Sequence, residues 1–508
     1  MPTKISSTLL SQVSEFITER MGLHFPKERW RDLERGIESA TAELGFQDAE
    51  SCLQSLVSSA LTKGQVEILA RHLTVGETYF FRDERSFEIL EQRVLPELIF
   101  TRRGSNQRLR IWSAGCCSGE EAYSIAILLR KVIPELKDWN ITILATDINS
   151  QALRKASEGV YTEWSFRTTS EKLKQNYFKP TKDGRWALPQ SIREMVTLQC
   201  LNLAEDVYPS LWSNTNAMDV IFCCNVLMYL SPEAARKVVH RLYQCLMDGG
   251  WLFVSPSEVS QSLFSQFSAM NFPGAIVYQK EAHRFLSAEN DFHSSFSQAI
   301  PSLPPIADAI PPNPVSEVLK FEALPEPVAS DAEVRDGEEQ SSTSLGETLA
   351  LYEQGDYEEA ASRLLVLSQS GEDAKVMSLL ARVFANRGKL AEALGWCEKA
   401  IAAEKTNPEY HYLRATILQE QGALAEALSS LKRTLYLDQD FVLAHFALGN
   451  LTLRGARLEE SDKHFKNALS LLRAYRPDDI LPHSEGMTAG RLMEIIDVQR
   501  DQSVLATE

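Results

Sequence analysis

A chain of 508 residues is too long for one ordinary domain, and its 44% apolar content can bury real cores, so about two to four domains are expected and general disorder is excluded. With 52 basic and 69 acidic side chains the net charge is −17. That argues against bulk binding to nucleic acid or anionic membrane, though it leaves room for a local basic patch. No run of about 18 uncharged apolar residues is present, so no membrane-spanning helix is expected. Met1–Glu15 has no apolar signal-peptide core. The 8 cysteines are scattered without a C-x-x-C pair, which predicts a reduced, cytoplasmic protein with buried thiols and no structural zinc or other metal.

In chain order, residues 1–75 read as an N-terminal helical domain, with Leu9, Val13, Phe16 and Ile17, then Leu33, Ile37 and Leu44, recurring at helical spacing. Residues 76–285 change to short β-rich runs alternating with helices. The expected strands are Leu109–Ala114, Ile141–Thr146, Val196–Cys200, Asp219–Cys224, Trp251–Ser255 and Ile276–Gln279, with helices at Glu121–Val132 and Pro232–Leu246. Such alternation predicts a parallel, doubly wound α/β sheet. Residues 286–343 hold 8 prolines between Pro301 and Pro327 and then an acidic, Ser-rich stretch. That composition reads as a disordered linker. Between Ser287 and Ser344, 11 acids face 2 bases, so more than half of the net negative charge belongs to this tether. Residues 344–475 form an all-α repeat module. Gly355, Gly388, Gly422 and Ala456 are spaced 33, 34 and 34 residues apart, and Ala360, Ala393, Ala427 and Ser461 each follow 5 residues later. Four agreeing units resemble tetratricopeptide repeats. Residues 476–508 read as a tail with a short helix, Ala489–Val498.

The chemistry concentrates in the α/β part. In Ile111–Glu121 a strand runs into a small-residue loop and then a helix, and Gly115 and Gly119 allow tight backbone and close approach of a ligand. Asp147 lies 32 residues after Gly115, at the end of the next expected strand, where an acid can accept both hydroxyls of a ribose or cap the following helix. The loop has no G-x-G-x-x-G, and Glu120 and Glu121 would repel a pyrophosphate at the helix start. The ligand expected is therefore a nucleoside without phosphates, and a cationic one such as S-adenosylmethionine fits.

Five ordered segments carry a resemblance to a known family: Leu73–Asp83, Trp112–Ser124, Ala145–Ile148, Leu201–Leu203 and Ile221–Leu230. Together they resemble the chemotaxis-receptor (CheR-type) methyltransferases over about residues 1–285, and the appended tetratricopeptide module is similar to an architectural variant of that family. The resemblance implies a Rossmann-like catalytic domain that moves a methyl group from S-adenosylmethionine to glutamate side chains of a chemoreceptor-like protein. It implies cofactor contacts at Gly76, Thr78, Arg82, Glu121, Asp147, Asn202, Leu203, Asn225 and Val226, with Asp147 on the ribose and Asn202 and Leu203 on the adenine side. Arg82 and Tyr229 are the implied catalytic pair. A glutamate is already ionised at neutral pH, so alignment and exclusion of water would suffice without a strong base.

The chain also departs from the family pattern. Gly76 stands where asparagine is common, Cys224 where arginine is common, Cys117-Ser118 where Ser-Thr is usual, and Ala122 where proline is usual. The stretch Lys27–Glu43, which matches a basic receptor-facing helix, sets 4 bases against 5 acids. Docking is therefore expected to fall to the repeats as a tethered binder of protein or peptide, whose removal spares cofactor affinity. An alternative reading is a catalytically weak scaffold that senses S-adenosylmethionine and binds partners through its repeats. The oligomeric state and the receptor are not encoded in any motif.

Overall fold

The computed structural model describes residues 5–281 and 337–505, apart from 59–60, 105–106, 206, 212, 370, 372, 456, 478 and 485. The stretch 286–336 of the expected linker, and Ala456 of the repeat pattern, lie outside the described residues.

Four helices open the chain: Ser7–Met21, Trp30–Thr41, Ala49–Ser58 and Lys63–Leu73. The Ser6 side chain caps the first, and Thr62 with Gln65 forms a reciprocal capping box on the fourth. Val13, Ile17, Leu33 and Ile37, all at helical spacing, are fully buried together with Leu53 and Leu69.

Ten strands follow: β1 (Arg108–Ala114), β2 (Asn140–Asp147), β3 (Val160–Tyr161), β4 (Lys179–Pro180), β5 (Trp186–Ala187), β6 (Val196–Cys200), β7 (Met218–Phe222), β8 (Leu246–Phe253), β9 (Ser268–Phe272) and β10 (Ala275–Gln279). Seven of them form one sheet in the order β6-β2-β1-β7-β8-β10-β9. The first five strands of that order are parallel and carry the intervening helices, as a doubly wound sheet requires, while β10 and β9 add an antiparallel hairpin at one edge. The sheet is therefore mixed rather than wholly parallel. β1 and β7 are buried along their full length, because helices cover both faces. The two-residue strands β3, β4 and β5 make a small separate sheet.

The C-terminal module consists of antiparallel helix pairs: Gly337–Glu353 with Tyr357–Gln369, Ala374–Asn386 with Leu390–Ala403, Pro408–Glu420 with Leu424–Leu437, and Val442–Arg454 with Leu458–Leu472. Gly355, Gly388 and Gly422 occupy the turns inside the first three pairs, with φ of 77°, 71° and 80°. The last helix runs Ala489–Leu505, longer than expected, and its Leu492 and Ile496 are buried in the core of the final repeats. It closes the array instead of forming a loose tail.

The repeats are not a separate body on a tether. They pack on the amino ends of the sheet strands. Arg108, the first residue of β1, pairs with Glu420 at 2.9 Å, with both side chains 5% exposed. Asn140, the first residue of β2, donates to the Glu420 carbonyl at 2.8 Å. The three turn glycines meet the catalytic domain directly: Gly355 lies against Gln244, a Cβ on Gly388 would stand 3.0 Å from Met247, and one on Gly422 would stand 3.3 Å from Asn140. Asn216, two residues before β7, donates to the Ala385 carbonyl at 3.4 Å, and Leu211 is buried among apolar side chains of the first repeats.

Candidate functional site

The cleft lies at the opposite, carboxyl ends of β1, β2, β6 and β7, enclosing about 1240 Å³ counted out to solvent. All ten residues nominated from the sequence line it: Gly76, Thr78, Arg82, Glu121, Asp147, Asn202, Leu203, Asn225, Val226 and Tyr229. They arrive from five segments far apart in the chain. Parallel strands bring them together because every strand end in the middle of the sheet opens on one side.

The loop after β1 turns with positive φ at Gly115, Cys117 and Gly119, at 84°, 51° and 90°. Gly115 has no room for a side chain, since a Cβ would stand within van der Waals radius of Val226. Asp147 holds this loop to the next one. Its carboxylate accepts from the Cys117 amide and from the Asn149 amide, each at 2.8 Å. Helix capping falls to Asn149, whose side chain accepts from Gln151 and Ala152, so the capping role considered for Asp147 belongs to its neighbour. Burial raises the Asp147 carboxyl above its ordinary value, against the lowering effect of those amides.

Glu120 and Glu121 part company at the start of the helix Glu120–Val132. Glu120 turns inward and accepts from Ser118 at 2.8 Å and Ser165 at 3.0 Å. Glu121 faces the cleft and accepts from Ser113 at 2.6 Å. Burial pushes it up to about 7, opposed by Ser113, by the Cys224 thiol and by Arg82. Cys224, at the position where arginine is common, directs its thiol to the Phe253 carbonyl at 3.7 Å and brings no cation near Glu121. Gly76 leaves space, because a Cβ there would meet only Cys117 Sγ at 3.6 Å.

Arg82 donates to the Glu77 carbonyl at 2.6 Å and lies 5.6 Å from the Tyr79 ring. Its neighbour Phe80 is buried in an aromatic cluster with Tyr161, Phe166 and Phe178, which anchors the segment. Tyr229 closes the cleft on the N-terminal-domain side. Its carbonyl accepts from the His24 amide at 2.8 Å, and the Arg29 guanidinium lies 5.4 Å from its ring. Within Lys27–Glu43, Arg29 and Arg35 both pair with Asp32, at 3.6 and 2.5 Å.

Two contributors escaped the sequence reading. Asn225 sits at φ 59°, and Glu258 supports it by accepting from the Asn225 amide at 2.7 Å and the Met228 amide at 3.2 Å. Ser255-Pro-Ser-Glu258 is a capping box, so an S-x-x-E signal was present in the sequence. Arg29 had no signal beyond its charge.

Among the described residues lining the cleft, Arg82 is the one base, against the acids Glu77, Asp83, Glu121 and Asp147. Two half-buried carboxylates, Glu121 and Asp147, held by neutral donors suit a ligand with positive charge and no phosphate. The donor set therefore fits a sulfonium-bearing nucleoside. No group of three or more potential metal-binding side chains occurs among the described residues.

Residues 76–276 match the family described as CheR methyltransferase, SAM binding domain, and residues 351–417 match a tetratricopeptide repeat family. The chain is 36% identical over 250 residues to chemotaxis protein methyltransferase 1 of Pseudomonas aeruginosa, covering 48% of this chain and 88% of that protein. It is 36% identical over 212 residues to chemotaxis protein methyltransferase Cher2 of Pseudomonas putida (41% and 74% covered) and 35% identical over 216 residues to chemotaxis protein methyltransferase 2 of Vibrio cholerae (42% and 73% covered).

Proposed function

The chain belongs to the CheR family of chemotaxis protein methyltransferases, and from that premise we propose that it methylates glutamate side chains of a chemoreceptor-like signalling protein. The observation that carries this reading is the convergence of ten residues, drawn from separate motifs, on one acidic cleft with a single guanidinium. S-adenosylmethionine supplies a methyl group already activated on a sulfonium. Asp147 holds the ribose, Asn202 and Leu203 flank the adenine, and Glu121 faces the cationic end. Gly76, Thr78, Asn225 and Val226 shape the remaining walls. Arg82 draws the substrate carboxylate in, and the Tyr229 hydroxyl orients it. Alignment is the main task, since the attacking carboxylate is ionised without help. The N-terminal helices, tied to Tyr229 through His24, wall off water on that side.

The repeats are proposed to engage a further protein, as stacked helical repeats commonly do. Removing residues from 345 onward should then lower partner association in a direct binding measurement. The eight cysteines form no disulfide among the described residues, which supports a reducing, cytoplasmic setting.

The test is transfer of labelled methyl to the methyl-accepting receptors of the parent cell. Base-labile label on receptor glutamates is expected, with loss in the Arg82→Ala, Tyr229→Phe double variant. No transfer, or transfer undiminished in that variant, would overturn the reading. Cofactor binding without transfer to any receptor would favour the scaffold alternative instead.

A further inference from the structure

The pair Asn202–Leu203 lies on the cleft wall just beyond the end of β6, and the repeat module touches the chain on both sides of it. On the upstream side, Arg491 of the closing helix Ala489–Leu505 donates through Nη2 to the Cys200 carbonyl at 3.0 Å. Cys200 is the last residue of β6, and the next amide, Leu201, donates to the Asp147 carbonyl at 3.0 Å. The guanidinium therefore grips the strand end one peptide away from the ribose-side acid. Arg491 is 9% exposed, and its Nη1 also lies 3.9 Å from Glu205.

On the downstream side, the described residues between Leu203 and Met218 are tied to one another and to the sheet domain. The Tyr208 hydroxyl donates to the Leu203 carbonyl at 2.7 Å, and Arg241 donates to the Ala204 and Glu205 carbonyls at 3.3 and 2.8 Å. Farther along, Arg110 donates to the Asn214 carbonyl at 2.8 Å. The far end of the same segment carries Leu211 and Asn216, which are held by the repeats. A wall segment anchored at both flanks by another module cannot be indifferent to whether that module is docked.

We propose that the repeat module completes the cofactor cleft, with Arg491 as a positioning residue that holds Cys200–Leu203 in its ligand-ready course. The inference rests on the S-adenosylmethionine reading of the cleft and adds a coupling to it. Docking of the repeats raises cofactor affinity, and by linkage the cofactor tightens docking. A protein that pulls the repeats away would lower cofactor affinity by the same factor. The coupling reverses the expectation of a tether, under which the repeats could be removed without consequence for the cofactor.

The experiment compares full-length wild type, Arg491→Ala and Arg491→Lys in two ways. One is calorimetric binding of S-adenosylhomocysteine, the demethylated product. The other is hydrogen–deuterium exchange of the ligand-free chains. Arg491→Ala should weaken binding by about five- to tenfold, speed exchange across Cys200–Ala217 ahead of the rest of the sheet, and raise the cofactor KM more than it lowers kcat. Lysine should recover part of the loss. Binding within twofold of wild type with unchanged exchange would overturn the proposal, and so would faster exchange spread evenly over the whole chain, which marks a merely structural role. Failure of wild type to bind S-adenosylhomocysteine would sink the functional reading, and the exchange comparison would still decide whether Arg491 positions the strand end.

Discussion

The two ends of the central sheet handle buried charge in opposite ways. At the amino ends every prominent charge has a partner of opposite sign or a set of carbonyls. Arg108 meets Glu420, Arg102 meets Asp219, and Arg110 is wrapped by Asn214 and Asn216. At the carboxyl ends Glu121 and Asp147 are half-buried and rest mainly on hydroxyl and amide donors, and both are raised above ordinary carboxylate values. Paired charges fix one arrangement, whereas acids left without a cation keep electrostatic free energy in reserve for an incoming positive ligand. One sheet thus carries a structural seam at one end and a binding site at the other.

Removing one member of the seam's ion pair is the strongest way to break this contrast. Glu420→Ala should destabilise the chain by about 3–5 kcal/mol in urea unfolding, because it strands Arg108 in a buried position. Replacing both with apolar residues should recover much of the loss. Next in size, Arg82→Ala with Tyr229→Phe should reduce methyl transfer by about 10²–10³-fold in a labelled-methyl assay, with an unchanged melting temperature. Glu258→Gln should come third. It withdraws a charged acceptor from the Asn225 and Met228 amides, and a loss of about 2 kcal/mol in unfolding free energy is expected, with weaker cofactor binding.

The smallest effect is one of pH. A carboxyl raised to about 7 is largely protonated at pH 6 and ionised at pH 8. Affinity for S-adenosylmethionine, measured by calorimetry, should therefore rise by up to about tenfold over that interval. The ligand-free fold should move the other way. Its native state holds a proton that the unfolded state has already released, so stability falls as pH rises from about 4.5 through 7. Glu121→Gln should flatten both profiles. Cys224→Arg should shift the binding profile to lower pH by giving Glu121 a cation.

Much of the binding end was legible in the sequence, while the seam was not. Asp147 and the Gly115–Gly119 loop are short-range signals, because a strand end followed by a particular residue type already suggests a ligand contact, whereas Asn202–Leu203 came only with the family resemblance. Val196–Cys200 was placed to the residue, since Val196, Leu198 and Cys200 alternate with Thr197 and Gln199, the period of a half-buried edge strand. β3, β4 and β5 span two residues each and leave no periodicity to read, and β9 exposes most of its side chains at a sheet edge. Arg108 and Glu420 are 312 positions apart, and each looks like an ordinary surface charge. The acidic tether was read as a sign of independent modules, but its charge describes only itself. Nothing local to Arg491 marks it as a neighbour of Cys200.

That neighbour relation has a consequence for synthesis. The catalytic sheet is complete once β10 has been made, yet Arg491 lies about 210 residues farther along the chain. At a translation rate of ~5–20 residues per second, the nascent sheet waits roughly 10–40 s for its last wall support. A ribosome that stops before residue 491 would release a chain whose β6 end lacks the Arg491 contact. Full cofactor affinity would then mark chains made through Arg491.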